Sequence, residues 1–201
     1  MTTARDLAIV ALGAAPDRPV ERGDLSLVLA GAELFDLVEA GALVLDGEHI
    51  VPSAQAPTGD RLLDEAAGKL VRQEPYESVS DWLWRRGRDL SSTYIEDFER
   101  VGLTARPRGR HVPLRTSRSE LVDSAARCHA EQRWTAGEPV LTALGAAAGL
   151  GDEPAPDTQA LTDETTSTVL AAVGDAVMEL EAVRRRREIE DAAFDNVWRG
   201  Y

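Results

Sequence analysis

The amino-acid sequence predicts a mainly α-helical fold, with one compact helical domain over residues 1–201 and one or two small β-hairpins. Three observations support this class. Apolar residues recur every three or four positions along most of the chain, which is the period of helices with one buried face. Short β-prone segments are restricted to the neighbourhood of glycine turns. A hydrophobic content of 43% over 201 residues suffices for one core.

The N-terminal region is predicted to contain two helices and a hairpin. A short amphipathic helix over 4–12 ends where glycine and two prolines interrupt the pattern at 13–19. A second helix runs from about Asp24 to Ala40, and the glycine that follows it suits a left-handed helix end. The segment LVLDGEHIV then provides two β-prone arms around Asp46-Gly47, a dipeptide that tolerates the positive φ angles of a hairpin turn.

Three helices are predicted in the middle of the chain. The carboxylate of Asp60 can cap a helix that extends through Val71. Two more helices cover 78–86 and 92–101, and the second ends at a glycine. Trp82 and Trp84 are two positions apart, so on a helix one is expected in the core and the other at a rim.

The rest of the chain is predicted to be helical. Helices are expected over 119–134 and 140–150, followed by a long helix from Asp157 or Thr162 towards Trp198. Four consecutive arginines interrupt its apolar face, and we interpret them as solvated surface with i,i+4 glutamate partners. These arginines and their glutamates are Arg184, Arg185, Arg186, Arg187, Glu179, Glu181, Glu188 and Glu190.

The overall charge restricts the classes of partner. A formal net charge of -13 at pH 7 creates a long-range field that repels nucleic acid and anionic lipid. Contact with a polyanion must therefore depend on a local cationic patch, and nucleic acid is a disfavoured partner. The first 15 residues lack the features of a secretory signal, and no segment is apolar enough to span a bilayer. We expect a cytoplasmic protein.

Histidine and cysteine do not form a metal site or a nucleophilic pair in this sequence. His49, His111 and His129 are far apart, and none has a second ligand three or four residues away. Cys128 is the single cysteine, which excludes an intramolecular disulfide. It is adjacent to His129, so on a helix the two side chains diverge. We expect surface or capping histidines and a buried structural cysteine.

Three carboxylates remain as candidates for metal-dependent chemistry. Asp60, Asp64 and Glu65 could hold Mg²⁺, yet helix capping and solvation explain them more simply. No nucleotide-binding or nucleophile-elbow motif occurs in the chain. We therefore predict a protein that is not an enzyme, with no cofactor and no metal.

One stretch reverses the sign of the charge. ARPRGRHVPLRTSR, residues 105–118, contains five arginines and no acidic residue. Each arginine near an anionic leaflet contributes about 1 kcal/mol, so this stretch can hold a protein on a membrane reversibly. Val112 and Leu114 are the predicted membrane contacts. The predicted headgroup-binding residues are Arg85, Arg88, Arg106, Arg108, Arg110, Arg115 and Arg118. The alternative is a loop that acidic helices elsewhere in the fold neutralise.

The segment APTGDRLLDEAAGKL, residues 56–70, resembles the Golgi phosphoprotein 3 family, which carries a similar APTGD-x-LLDEAL motif. LVLAGAELFDLVEAGAL, ESVSDWLW, FERVGLTARPRGRHVPL and VLTALGAAAGL resemble further family segments in the same order. The resemblance implies a helical domain that binds phosphatidylinositol 4-phosphate peripherally at membranes, with a hairpin that touches the bilayer. Family members also recruit glycosyltransferase tails in eukaryotic Golgi traffic.

The resemblance transfers only part of the family's lipid pocket. Ala30 occupies the place of a family arginine, and 19–23 lacks the family tryptophan. Arg88 matches one of two arginines three positions apart, whereas Ser91 occupies the other place. The hairpin is more basic than apolar, so charge-led attachment to generic anionic lipid is the implied mode.

Two further functions stay open. A helix followed by a basic hairpin after Gly102 is also the pattern of a winged-helix regulator that contacts DNA phosphates. A metal-dependent enzyme that uses Asp60 and Asp64 is the other open function. Both stand beside our first hypothesis, which is a non-enzymatic, peripherally membrane-associated adaptor. Its protein partners, including a second copy in a homo-oligomer, are not specified by the sequence.

Overall fold

A computed structural model describes residues 2–14, 20–54, 57–105, 120–151 and 163–199. This part of the chain contains eight α-helices and two antiparallel pairs of strands, so the mainly α prediction with small hairpins is confirmed. In chain order the elements are α1 (Thr3–Gly13), α2 (Arg22–Glu39), β1 (Leu43–Asp46), β2 (His49–Pro52), α3 (Arg61–Gly68), α4 (Val79–Arg86), α5 (Leu90–Arg100), β3 (Thr104–Ala105), β4 (Glu120–Leu121), α6 (Ala125–Thr135), α7 (Pro139–Ala147) and α8 (Glu164–Arg199).

Helix α2 is the centre of the fold. Every residue from 25 to 34 is buried, and the helix contacts α1, α3, α4, α5, α7 and α8. A helix that is apolar on most of its circumference is expected inside a bundle rather than at its surface. At the crossing with α8, a Cβ added to Gly31 would overlap Cγ2 of Val173. The absence of a side chain at Gly31 is therefore what allows the two helices to approach closely.

The first hairpin forms as predicted, with its turn shifted by one residue. Asp46 pairs with His49, so Gly47 and Glu48 form the loop and Asp46 belongs to the strand. Of the two loop residues, only Gly47 has a positive φ, 59°. Glycine tolerates this conformation without steric cost. The hairpin attaches to the body where Ile50 N–H donates to the carbonyl of Glu77 at 2.9 Å.

Side-chain caps begin the middle helices. The carboxylate of Asp60 accepts from the backbone N–H groups of Leu62 and Leu63 at 2.9 and 3.1 Å, which confirms the predicted cap of α3. The helix ends at Gly68 rather than continuing through Val71. The hydroxyl of Ser78 caps α4 in the same way, because it accepts from Asp81 N–H at 3.0 Å. Trp82 is fully buried and Trp84 half-buried, as their spacing predicts.

The second pair of strands corrects the prediction of a helix from Ser119. Thr104 pairs with Leu121, and Val122 N–H donates to the carbonyl of Leu103 at 2.8 Å. Because this pairing uses the backbone of residues 120–122, α6 begins only at Ala125. Residues 106–119 lie outside the described part of the chain. The strands bring the two ends of that segment together.

Two predictions about the C-terminal half have different outcomes. The long helix is confirmed as α8, with Val169, Val173 and Ala176 buried on one face. The prediction of a buried cysteine is wrong, because Cys128 is exposed on α6. Only Ala130 of that helix is buried, so α6 lies on the surface. No helix in the described ranges is long and apolar enough to cross a bilayer.

Candidate functional site

A cationic depression lies between α3, the end of α4 and α5. It consists of two pockets of about 260 and about 530 Å³ that share Glu65 and Thr93 in their walls. We call the combined depression the basic groove. Its cationic lining residues are Arg61, Lys69, Arg85, Arg86, Arg88 and Arg100.

The balance of charge in the basic groove is opposite to that of the chain. Its described walls carry six cationic side chains against three carboxylates, those of Glu65, Glu96 and Asp97. The whole chain has a formal net charge of -13. Concave sites lined by one sign of charge concentrate the local potential. The groove therefore has a local excess of cationic lining residues on a chain that is anionic as a whole.

Arg86 is the structural anchor of the groove. Its Nε and Nη2 donate to the two carboxylate oxygens of Glu33 at 2.7 and 2.9 Å, and Nη1 donates to Glu65 at 3.2 Å. The hydroxyl of Tyr94 donates to Glu33 at 3.2 Å. Burial raises the pKa of Glu33, while the hydrogen bonds and charge of Arg86 oppose that rise. Arg86 thus fixes α4 against α2. Its guanidinium is already hydrogen-bonded to Glu33 and Glu65.

Arg85 is exposed and is held by its neighbours. Its Nε and Nη2 each donate to the carboxylate of Glu77 at 2.6 Å, and Nη2 also donates to the carbonyl of Lys69 at 3.2 Å. The guanidinium carbon lies 5.2 Å from the centre of the Trp82 ring, within cation–π range. Arg85 therefore lines the groove, and its charge is already paired with that of Glu77.

Arg88 is the groove cation without an ion pair to any described residue. Lys69 pairs with Glu65 at 2.7 Å. Each of the other four groove cations also pairs with a carboxylate; they are Arg61, Arg85, Arg86 and Arg100. Arg88 is exposed between Gly87, which ends α4, and Asp89, which has a left-handed φ of 54° before α5 begins. The tight link between the two helices places this free guanidinium at the mouth of the smaller pocket.

Three arginines converge on one buried carboxylate at the other end of the groove. Arg61 and Arg100 lie 2.7 and 2.8 Å from Asp97 Oδ1, and Arg5 lies 3.5 Å from its Oδ2. Burial opposes ionisation of Asp97, but hydrogen bonds from Arg100 and Arg61 outweigh it and lower the pKa of this carboxyl. Arg5 also pairs with Asp60 at 3.3 Å, and Arg61 with Glu65 at 3.6 Å, so carboxylates neutralise much of the charge at this end.

Two positions that the family resemblance assigns to headgroup binding are uncharged and buried. Ser91 N–H donates to Oγ of Ser26 at 3.0 Å, and Ser26 Oγ donates to Ser91 Oγ at 2.9 Å. Ala30 is fully buried, and its carbonyl accepts from Nε1 of Trp82 at 3.1 Å. Neither position contributes charge to the groove.

The other predicted site residues lie beyond the part of the chain that the structure describes. They are Arg106, Arg108, Arg110, Arg115, Arg118, Val112 and Leu114, all between β3 and β4. Strand β3 starts at Thr104, four residues after Arg100. The arginine-rich stretch therefore follows the Arg100 end of the basic groove closely in the sequence.

The groove contains cations that sequence reasoning missed. Arg61, Lys69 and Arg100 are dispersed along the chain, and only the fold assembles them with Arg88. The sequence carries a local signal for two of them. Glu65 is four residues from both Arg61 and Lys69, which is the spacing of ion pairs along a helix. The missing information is the tertiary arrangement that brings Arg61 of α3 to Asp97 of α5.

The candidate metal ligands have other roles. Asp60 caps α3, and Asp64 accepts from the backbone N–H of Thr58 at 2.7 Å, which lowers its pKa. Glu65 pairs with Lys69 and Arg86. Among the residues that the structure describes, no three His, Cys, Asp or Glu side chains come close enough to hold a metal ion.

Comparison with protein families identifies one match. The family described as Golgi phosphoprotein 3 (GPP34) matches residues 4–188. A search of curated proteins finds no match. The matched range contains every residue of the basic groove and the arginine-rich stretch.

Proposed function

Because the chain belongs to the Golgi phosphoprotein 3 family, we propose that it is a non-enzymatic protein that binds anionic phospholipid headgroups in the basic groove. This places it on cytoplasmic membrane surfaces as a peripheral protein. Family membership supports lipid or membrane-related binding in general terms. The anionic headgroup, the residues that bind it, the peripheral attachment and a single domain over residues 1–201 are what we propose beyond family membership.

The free guanidinium of Arg88 carries this proposal. A guanidinium presents paired N–H donors that match phosphate oxygens, and it stays charged at any physiological pH. Arg88 lines a pocket with Lys69 and Arg85, at the N-terminal end of α5. The positive end of a helix dipole adds to the attraction for a phosphate. A phosphate bound there would contact the unpaired guanidinium of Arg88. The other two cations, Lys69 and Arg85, are already paired with Glu65 and Glu77.

The arginine-rich stretch supplies the second contact. Arg106, Arg108, Arg110, Arg115 and Arg118 follow the Arg100 end of the groove in the sequence. Five arginines at about 1 kcal/mol each give reversible attachment to an anionic leaflet. Val112 and Leu114 between them are the proposed contacts with the bilayer itself.

Headgroup selectivity is expected to be weaker than the family resemblance implies. Phosphatidylinositol 4-phosphate is the ligand that the resemblance suggests. Ala30 and Ser91, however, leave two of the family's arginine positions uncharged. With Arg88 as the remaining match, we propose that surface charge density, rather than one inositol phosphate, determines binding.

A second candidate function is supported by the order of elements. The antiparallel strands β3 and β4 follow α5 and enclose the arginine-rich stretch, as a wing follows a helix in winged-helix regulators. The formal charge of -13 disfavours DNA. A gel shift with random duplex at low salt decides this point, because a wing that clamps phosphates retards duplex of any sequence.

Vesicle co-sedimentation tests the first candidate. The full chain is mixed with vesicles of phosphatidylcholine alone, or with added phosphatidylserine or phosphatidylinositol 4-phosphate. We expect sedimentation with both anionic mixtures, loss of binding between about 50 and about 500 mM salt because of screening, and none with phosphatidylcholine. Equal recovery with neutral and anionic vesicles at low salt would refute the proposal.

A further inference from the structure

Most cations of the basic groove are held firmly by their partners. Five of the six pair with carboxylates, so a bound phosphate must rely on Arg88 alone or take a cation from its partner. Arg86 is buried and donates to both carboxylate oxygens of Glu33. Arg85 donates twice to Glu77 at 2.6 Å and once to a backbone carbonyl. Neither arginine can leave its partner without losing several contacts.

The arginines at the other end of the groove are also fixed. Arg61 donates to Oδ1 of Asp97 through two nitrogens, at 2.9 and 2.7 Å. Arg100 donates to the same oxygen at 3.2 and 2.8 Å. The Asp97 side chain is only 1% exposed. Loss of either arginine would reduce the compensation of a buried charge, which is unfavourable.

Lys69 differs from these arginines, because a single contact holds its ammonium group. Nζ donates to Oε1 of Glu65 at 2.7 Å, and it has no second side-chain partner among the described residues. The side chains of Lys69 and Glu65 are 49% and 35% exposed. An exposed pair with i,i+4 spacing contributes little to stability, because water competes for both charges. Release of Lys69 from Glu65 therefore costs little.

Glu65 does not depend on Lys69 alone for its counter-charge. Its carboxylate also lies 3.2 Å from Nη1 of Arg86 and 3.6 Å from Nη1 of Arg61. The hydrogen bond from Lys69, together with that from Arg86, lowers the pKa of Glu65 against the opposing effect of burial. Glu65 is also the one carboxylate among the described residues that line the smaller pocket. It therefore competes there with any bound phosphate.

We propose that Lys69 is a second headgroup ligand, which exchanges between Glu65 and a phosphate bound at Arg88. This inference rests on the proposed binding of headgroups in the basic groove. The three side chains line one pocket of about 260 Å³, and the flexible four-carbon stem of lysine lets its ammonium group change acceptors. The phosphate replaces the carboxylate as acceptor, while Arg86 and Arg61 continue to compensate Glu65. Glu65 thereby keeps headgroup binding weak and reversible.

The side-chain NMR signal of Lys69 tests the exchange directly. Lys69 is the only lysine in the sequence, so labelling with ¹⁵N-lysine gives one side-chain ammonium signal in the full chain. The probe is glycerophosphoserine, the soluble headgroup of phosphatidylserine, with inorganic phosphate as a second arm and sodium chloride of equal ionic strength as the control. The signal of Glu65→Gln marks the released lysine.

We expect the wild-type signal to move saturably with glycerophosphoserine and to stay in place with sodium chloride. Arg88→Gln should weaken this response about fivefold, because it removes one cation from the pocket. A response to inorganic phosphate alone would assign the pocket to a free anion and overturn the headgroup exchange. A signal that stays in place while the wild type binds phosphatidylserine vesicles would refute the exchange and leave headgroup binding intact.

Vesicle affinities test the competition by Glu65. On vesicles of phosphatidylcholine with phosphatidylserine, we expect Glu65→Gln to bind about tenfold more tightly than the wild type, because it removes a repulsive charge and the competitor for Lys69. In a Lys69→Gln background the same change should gain only about threefold, since no lysine is then released. Glu131→Gln, which breaks the pair with Arg127 on α6, should bind within about twofold of the wild type.

Two results separate the inference from the function on which it rests. Equal gains from Glu65→Gln with and without Lys69 would show that Glu65 acts on the phosphate by its charge alone, which refutes the exchange. A wild type that binds neither phosphatidylserine vesicles nor glycerophosphoserine would refute headgroup binding, and the exchange with it. Because the NMR titration uses the wild type, it decides the matter even where circular dichroism shows a variant to be unfolded.

Discussion

Arg86 and Glu33 form a bidentate ion pair inside the protein, with nitrogen to oxygen distances of 2.7 and 2.9 Å. The Arg86 side chain is 4% exposed and that of Glu33 is fully buried. The pair joins the end of α4 to the central helix α2. It therefore determines where Arg85 and Arg88, which flank Arg86 in the sequence, reach the basic groove.

Arg86→Met should destabilise the protein by about 3–5 kcal/mol, because it leaves the Glu33 carboxylate buried without its counter-charge. The double variant Arg86→Met, Glu33→Leu should recover most of this loss, since it removes both charges and keeps the volume. Urea unfolding of the wild type, the single variant and the double variant gives the three free energies. A double variant no more stable than the single one would contradict this account of the pair.

The contact between α2 and α8 gives a second prediction. In Gly31→Ala the new methyl group would overlap Cγ2 of Val173, and overpacking of this kind costs about 1–3 kcal/mol. Val173→Ala removes the obstructing methyl, so the cost of the double variant should be clearly smaller than the sum of the single costs. A double-mutant cycle of unfolding free energies measures this coupling. Additive costs would show that α8 does not pack on Gly31.

The sequence predicts helix ends well where the signal is local. Asp60 caps α3, and Gly41 and Gly102 have φ angles of 68° and 74° after α2 and α5. Caps and left-handed glycines act within a few residues, so their signals are visible in the sequence. The helix expected from Ser119 was displaced by a contact of longer range. Leu121 pairs with Thr104, and no local pattern at residue 119 indicates that partner.

The candidate site was partly predictable for the same reason. Arg88 is predicted and is found exposed in the groove. Arg85 is also predicted, but Glu77 neutralises it from eight residues earlier across a turn, a spacing that carries no helical signal. The burial of Glu33 is equally invisible, because its partner Arg86 lies 53 positions away. Charges that pair through tertiary packing cannot be separated from free ones by composition.

The start of α1 is predicted to depend on pH through Asp36. Its carboxylate accepts from the backbone N–H groups of Thr3 and Ala4 at 2.7 and 2.9 Å. Burial nevertheless raises the pKa of Asp36 from 3.8 to about 6. The folded state therefore binds this proton more tightly than the unfolded state, and the contribution of Asp36 to stability falls as pH rises from about 4 to about 6.

Comparison with Asp36→Asn isolates this effect. The unfolding free energy of the wild type minus that of the variant should fall by up to about 3 kcal/mol from below pH 4 to above pH 6. Urea unfolding at a series of pH values measures this difference. A difference that rises with pH would show that the two N–H donors outweigh burial and hold the carboxyl in its charged form.

The vesicle affinity of a charge-reversal variant shows whether the free charge of Arg88 binds headgroups. Arg88→Glu is compared with Arg127→Glu, which makes the same change in net charge on α6, away from the residues that line the groove. On vesicles of phosphatidylcholine with phosphatidylserine, we expect Arg88→Glu to bind roughly tenfold to thirtyfold more weakly than the wild type, because reversal removes one favourable charge and adds a repulsive one at about 1 kcal/mol each. Arg127→Glu should bind within about twofold of the wild type. Equal affinities of the two variants would contradict headgroup binding in the basic groove.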